Sequence, residues 1–304
     1  MTSASRAARL TAAAATLAVL VWQLGTGPFL DGLRAVDGEA LAAAFGLAVL
    51  TTVCCAWRWR VVACGLGVDL PLGTAVAAYY RSLFLNVTLP GGVAGDLHRG
   101  WSHGRDTSDV GRGLRAVAWE RSAGQVVQIV LTVAVLLVLP SPAQAIAPFA
   151  ALALAAAAGA ALVARLRPAA WRAWPAIALA SVLVVAGHAA TFVIAARSAG
   201  ATAPPVEMLP LALLVIQGAA VPGIGGWGPR EGVAAWAFAA AGLGASLGVT
   251  TAVVYGVMVF VASLPGAVVL VSAWAWRTRS APRRRWPLLG ALAIRARLDG
   301  APDA

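Results

Sequence analysis

The 304-residue sequence contains no lysine, 12 acidic residues, three histidines and three cysteines. Charged residues make up only 12% of it and hydrophobic residues 60%, whereas a soluble globular domain carries roughly 25% charged residues. A soluble fold is thereby excluded, and an integral membrane protein is expected. The cysteines, Cys54, Cys55 and Cys64, have no second Cys or His cluster to complete a metal site, and they read as buried free thiols. No Ser/His/Asp set and no metal-ligand spacing is present, so no cofactor is expected and catalysis has little support. Gly223, Gly225 and Gly228 spell G-x-G-x-x-G, but no strand precedes them and no acidic residue follows in a βαβ setting, which rejects a dinucleotide site.

Long apolar runs dominate what is present. Six are long enough to cross a bilayer, which needs about 20 apolar residues: Leu10 to Leu24, Ala40 to Trp57, Ala116 to Leu139, Ala147 to Leu166, Pro175 to Ala196 and Thr250 to Trp276. The first follows Arg6 and Arg9 like a signal peptide, but no small-x-small pattern closes it, so it reads as a span. Two further runs, Leu72 to Leu89 and Met208 to Val221, end in Gly/Pro clusters. Helix is broken there, because proline removes a donor and glycine favours other backbone.

The net charge of +11 suggests a nucleic-acid partner at first sight, yet every basic residue is an arginine in a short loop or near a span end. That placement encodes topology. Arg6, Arg9, Arg58, Arg60, Arg99, Arg105, Arg112, Arg115, Arg165, Arg167, Arg172 and the tail from Arg277 to Arg297 fall on one side; only Arg34 and Arg197 fall on the other. The first side is the cytoplasm, and both termini are expected there, in the cell membrane.

The count works only if the two broken runs enter the membrane and return to the side they came from. The expected fold is therefore all-α, with about six transmembrane helices and two re-entrant hairpins, arranged as an inverted-topology repeat over residues 1–276. Residues 277–304 form an Arg-rich cytoplasmic tail. The hairpin tips are Pro90, Gly91, Gly92 and Gly95 in one copy and Pro222, Gly225, Gly226 and Gly228 in the other. Interrupted segments at corresponding places in two halves point to a transporter's binding site.

Irregular backbone at membrane depth must face protein or water, so the tips should line a polar pocket. Arg81, Asn86, Asp96, Arg99, Glu120, Arg121, Arg230 and Glu231 stand around them and are the candidates for binding a ligand. Ionisable groups at the centre of a span cost about 2.5 to 3.5 kcal/mol each and call for partners. Adjacent helical residues point about 100° apart, so pairing across the repeats is expected, Glu120 with Arg230 or Arg121 with Glu231. Pro229 suits the first turn of a helix whose free N–H groups would face an anion. The alternative is that these charges only lock the hairpins.

Other features carry less. His188 reads as a hydrogen-bonded packing residue before a proton relay. Asn86-Val87-Thr88 is a glycosylation sequon on a hairpin, out of reach of the machinery. Gly244 and Gly248 indicate close helix packing. Trp57, Trp59, Trp171, Trp174, Trp274 and Trp276 sit near span ends as interface anchors.

Three stretches together resemble the flippase-like transmembrane domain of lysylphosphatidylglycerol synthases and its stand-alone relatives. They are Leu85-Asn86 through Leu89-Pro90-Gly91-Gly92 to Gly95-Asp96 and Arg99; Glu120-Arg121 with Gly124; and Pro222 through Gly225-Gly226-Trp227-Gly228 to Arg230-Glu231. The first has Ala94-Gly95 where the family has two glycines before the aspartate. The resemblance implies a helical membrane fold with re-entrant segments and movement of a phospholipid between leaflets. The family's synthases carry a soluble catalytic domain after the membrane part; here the aminoacyl-transfer activity is expected to be absent.

The leading expectation is a lipid flippase or lipid-binding transporter, whose partner is a membrane phospholipid or lipid-linked sugar. Two alternatives stay open: an embedded enzyme of lipid or lipid-linked glycan synthesis with Asp96 or Glu120 as base, and an accessory subunit that docks a soluble synthase through its tail. Homo-oligomerisation is compatible with all three.

Overall fold

A computed structural model of the chain describes residues 11, 15, 17–89, 92–141, 168–219 and 226–280. The chain divides into two compact units, Met1–Val269 and Leu270–Ala304; the contacts described below lie within the first. Among the described residues there is no β-strand.

The helices are α1 (Gly27–Arg34), α2 (Gly38–Gly65), α3 (Leu72–Thr88), α4 (Ala94–Asp106), α5 (Val110–Val138), α6 (Pro168–Ser198), α7 (Pro205–Ala219), α8 (Pro229–Ala240) and α9 (Ala245–Ser280). Four of the described segments are long and apolar enough to cross a membrane: α2, α5, Ala173–Ser198 of α6 and Ala245–Ala275 of α9. The expected span Ala147 to Leu166 lies outside the described residues, as does most of Leu10 to Leu24, of which residues 17–24 are helical. Tip residues Pro90, Gly91, Pro222 and Gly225 also lie outside them.

The helices occur twice in the same order of long, short, short, long: α2 to α5, then α6 to α9. The joints repeat down to individual hydrogen bonds. At the end of α2, Val68 N–H donates to Ala63 O (3.0 Å) and Gly67 N–H to Cys64 O (2.9 Å). At the end of α6, Ala201 donates to Ala196 (2.8 Å) and Gly200 to Arg197 (2.9 Å). Both are Schellman caps, with Gly67 (φ 78°) and Gly200 (φ 92°) in the left-handed region that glycine tolerates best. A proline, Pro71 or Pro204, then precedes the next helix.

The joints between the short helices and the final spans match too. Asp109 N–H bonds Gly104 O (2.8 Å) where Leu243 N–H bonds Phe238 O (2.9 Å), and the left-handed residue is Ser108 (φ 57°) in one copy and Gly242 (φ 77°) in the other. Gly113 of α5 lies where a Cβ would overlap the backbone of Gly100 and Gly104 on α4, and Gly248 of α9 stands in the same relation to Ala234 and Phe238 on α8. Gly248 thus serves the close packing expected of it.

Each copy has its own core. Cys55, Ala56, Trp59, Ala63, Tyr79, Ala116 and Val117 are among the buried residues of the first. Phe192, Met208, Leu211, Val215, Phe238, Val254 and Met258 are in the second. Burying such side chains is worth roughly 1.5 to 3 kcal/mol each against water; in lipid, tight packing and internal hydrogen bonds do that work instead.

The copies interlock. Long helices α2 and α6 lie side by side, with Gly187 of α6 seated on Thr51 of α2. Helix α3 packs on α9, the far copy's last span, where a Cβ on Gly266 would strike the backbone of Tyr80. Reciprocally α7 packs on α5, where Gln217 meets Gln125 and Gln128.

Candidate functional site

Five charged side chains from α2, α4 and α5 converge inside the first copy. Glu120 of α5 is fully buried. Its Oε1 accepts from Arg58 Nε (3.0 Å) and from Arg58 Nη2, and its Oε2 accepts from Arg99 Nη2 (3.0 Å). Tyr79 OH lies 3.4 Å from Oε1. The second carboxylate, Asp96, lies in the first turn of α4. It accepts from Ser82 Oγ (3.0 Å), Asn86 Nδ2 (2.9 Å), Arg99 Nη2 (3.0 Å) and Arg121 Nη2. Arg99 therefore bridges the two acids. Both carboxylates act only as acceptors here, the arrangement of the ionised form.

Local sequence explains how the cluster assembles. Tyr79, Ser82 and Asn86 recur at helical spacing and share one face of α3. Gly95 sits so close to α3 that a Cβ would overlap the backbone of Ser82, and its N–H donates to Asn86 Oδ1 (2.8 Å). That bond caps the start of α4 and fixes Asp96. Asn86 is buried and fully engaged, so its sequon is structural.

Arg99 is 1% exposed and lies between two rings, its guanidinium carbon 4.5 Å from the centroid of Trp59 and 4.2 Å from that of Tyr79. Cation–π contact of this kind is worth about 2 kcal/mol when desolvated. Among the described residues, its Nε and Nη1 have no hydrogen-bond partner. Arg58 donates also to Ser181 Oγ of α6 (2.9 Å), tying the cluster to the second copy. The Arg121 side chain, by contrast, is 48% exposed. Three guanidinium groups face two carboxylates, leaving one positive charge in excess at this point.

Several expectations need correction. Arg58 is not a loop residue: α2 continues past Trp57 to Gly65, because Glu120 supplies the partner that lets an arginine stay inside. Trp59 is not an interface anchor; it is 1% exposed beneath Arg99. The charges do not pair across the copies. Glu120 pairs with Arg58 and Arg99, and Arg121 with Asp96.

In the second copy Arg230 pairs with its own neighbour, Nε and Nη2 donating to Glu231 Oε1 at 2.9 and 2.6 Å. Neighbours meet because both lie in the first turn of α8, after Gly228 and Pro229, and both are buried. Glu231 Oε2 also accepts from Gly228 N–H (2.7 Å). The start of α8 is thus occupied by the chain's own carboxylate rather than open to an anion. Arg230 lies 4.7 Å over Trp227.

Arg81 is half-buried on α3, about 100° around the helix from Ser82, on a different face from the cluster. His188 is hydrogen-bonded to Tyr255 OH (3.0 Å). Cys55 is buried, but Cys64 is exposed. The tip residues Gly92 (φ 65°) and Gly226 (φ 81°) have left-handed backbone. Arg58, Trp59, Tyr79, Ser82 and Ser181 were not among the expected site residues; Arg58 lies one helical turn past Cys54 and Cys55, within α2 rather than after it.

A cavity of about 80 Å³ adjoins the cluster at Cys55 and Tyr79, and Thr51, Leu83, His188 and Met258 are among its lining residues. Among the described residues no group of His, Cys, Asp and Glu is arranged to hold a metal ion.

No curated protein matches the chain. The family model described as the lysylphosphatidylglycerol synthase TM region matches residues 6–174, a stretch that contains Arg58, Tyr79, Asp96, Arg99, Glu120 and Arg121 and hence the whole charged cluster. With more than half of its length matched and its long apolar helices, the chain is a membrane protein that belongs to the lysylphosphatidylglycerol synthase TM region family.

Proposed function

We propose that this membrane protein binds the anionic head group of a phospholipid or lipid-linked sugar at the Arg58–Asp96–Arg99–Glu120–Arg121 cluster and carries it between leaflets. Membership of a lipid-related family supports a lipid as the substrate. The observation that carries the reading is the excess guanidinium, with Arg121 partly exposed beside a buried network. A buried ion network costs several kcal/mol of desolvation per ion, and a phosphate would satisfy the surplus charge through paired hydrogen bonds.

The short helices support an alternating-access arrangement. At 1.5 Å per residue, α3, α4, α7 and α8 reach about 26, 20, 22 and 18 Å, all less than the roughly 30 Å of hydrocarbon. Each pair, α3 with α4 and α7 with α8, is read as a re-entrant hairpin, and the copies as inverted repeats with cytoplasmic termini. Catalysis by Asp96 or Glu120 is disfavoured, because guanidinium groups saturate both carboxylates and a base needs a free lone pair. The protein is read as a carrier without enzymatic activity.

The test is mass spectrometry of lipids retained by gently purified protein, with transfer of a fluorescent phosphatidylglycerol measured in proteoliposomes. Wild type should enrich an anionic lipid, and Arg121→Gln should lower retention about tenfold. No enriched lipid and no transfer above protein-free vesicles would remove the basis of this function.

A further inference from the structure

Beyond the cluster, α5 carries a line of neutral polar groups. Arg121, Gln125, Gln128 and Thr132 fall within about 60° of one another at 100° per residue, so they form one stripe roughly 16 Å long at 1.5 Å per residue. Gln217, near the end of α7, closes it from the other copy. Its Oε1 accepts from Gln125 Nε2 (2.9 Å) and Gln128 Nε2 (3.1 Å), and its Nε2 lies 3.5 Å from Thr132 Oγ1. All three glutamines remain partly exposed. The stripe begins at the exposed Arg121 and ends at Thr132 and Gln217.

Packing alone does not require these amides. The repeat provides the comparison, because α3 packs on α9 as α7 packs on α5. Counting from Gly113 and Gly248 on the long helices and from Pro71 and Pro204 before the short ones, the residues of α9 equivalent to Gln125, Gln128 and Thr132 are Phe260, Ser263 and Ala267, and the residue of α3 equivalent to Gln217 is Phe84. There the same contact is largely apolar, with Phe84 against Gly266. Partly exposed amides at membrane depth are costly against hydrocarbon, where each unsatisfied polar group loses several kcal/mol. Water or a polar ligand on their open side removes that cost.

We infer that Gln125, Gln128 and Gln217, backed by the buried Thr132, line a hydrated groove that receives the lipid head group from Arg121 and passes it along α5, an inference that rests on the lipid-transport reading above. Amides suit this role: they offer both donors and acceptors, and, being neutral, they hold an anion less tightly than arginine does. Arg121 thus loads, and the glutamines conduct.

The groove is tested separately from transport. In the full-length protein freed of Cys54, Cys55 and Cys64, single cysteines at positions 125, 128 and 217 are compared with cysteines at Val130 and Leu137. Those two side chains are 60% and 52% exposed and apolar. In phosphatidylglycerol/phosphatidylethanolamine proteoliposomes, a membrane-impermeant sulfonate thiosulfonate should react at least ten times faster at the three groove positions. Equal rates would overturn the groove whatever the protein transports. Next, Gln217→Leu should slow fluorescent phosphatidylglycerol transfer at least tenfold while retained lipid stays within twofold of wild type; unchanged transfer would overturn the conducting role. Fast labelling with no lipid retained by wild type would instead fault the lipid reading, and the conducting role with it.

Discussion

Glu120 of α5 and Tyr255 of α9 occupy equivalent positions in the two copies, counted from Gly113 and Gly248, yet one anchors two arginines and the other a histidine. The helix order and joints recur in the two copies, but their polar interiors differ. The charged network belongs to the first copy, and the second retains a self-contained Arg230–Glu231 pair.

Arg58→Ala should be among the most damaging single changes. It strips Glu120 of its closest partner and leaves a carboxylate buried at 0% exposure; breaking a buried pair from one side costs about 3 to 5 kcal/mol. Arg58→Lys should recover less than half of that, because an ammonium cannot bridge Glu120 and Ser181 in the planar geometry of the guanidinium. Thermal unfolding in detergent, followed by tryptophan fluorescence, gives the comparison; equal stability of the alanine variant and wild type would refute the pairing.

Tyr79 contributes its ring more than its hydroxyl. Tyr79→Phe keeps the face that covers Arg99 and should lose less than about 1 kcal/mol, the scale of one hydrogen bond. Tyr79→Leu loses the ring and should cost about 2 kcal/mol more. The same unfolding measurement ranks the two.

Gly95→Ala and Gly124→Ala should both disturb the cluster, by different routes. A Cβ at Gly95 meets backbone of α3, which cannot rotate away, while one at Gly124 sits 2.7 Å from the Arg58 guanidinium, a side-chain end that can shift only by loosening its bonds to Glu120 and Ser181. The Gly95 variant is expected to fail to accumulate as folded protein. The Gly124 variant is expected to fold with reduced lipid retention, read by size-exclusion profile and mass spectrometry.

Ser108 is the one described residue other than glycine with positive φ, at 57°. Its equivalent in the other copy is already Gly242. Ser108→Gly should therefore stabilise the protein by up to about 1 kcal/mol, since left-handed backbone costs other residues roughly 1 to 2 kcal/mol. A lowered melting temperature would count against the cap geometry.

Cysteine reactivity should separate Cys64 from Cys55. Cys64 is exposed and Cys55 buried, so maleimide in detergent should modify Cys64 within minutes and Cys55 only after denaturation, as peptide mass mapping would show. Early modification of Cys55 would contradict the packing of α2 against α3.

The long helices were legible because apolar length alone defines a span, and the two short-helix pairs because proline and glycine punctuate them. Asp96, Arg99, Glu120 and Arg121 stood out as charges in apolar surroundings. Arg58 did not, because its neighbour Arg60 and the flanking tryptophans imitate a span end, and a count of arginines per loop cannot tell a solvated side chain from a buried one. The cross-copy pairing failed for a related reason: Arg58, the true partner of Glu120, had already been assigned to the cytoplasm. The glutamine stripe escaped since neutral amides leave no trace in a charge count, although spacings of four, three and four residues along α5 were open to view.

Each short-helix pair rests on the final long helix of the opposite copy, α3 on α9 and α7 on α5. During synthesis, α5 is complete well before Gln217 emerges to meet Gln125 and Gln128, and α3 waits longer still for Gly266. The first copy is therefore born with an unfinished wall. Its wall closes only after the second copy follows, and a nascent chain halted between the copies would hold Gln125 and Gln128 without the Gln217 that pairs with them.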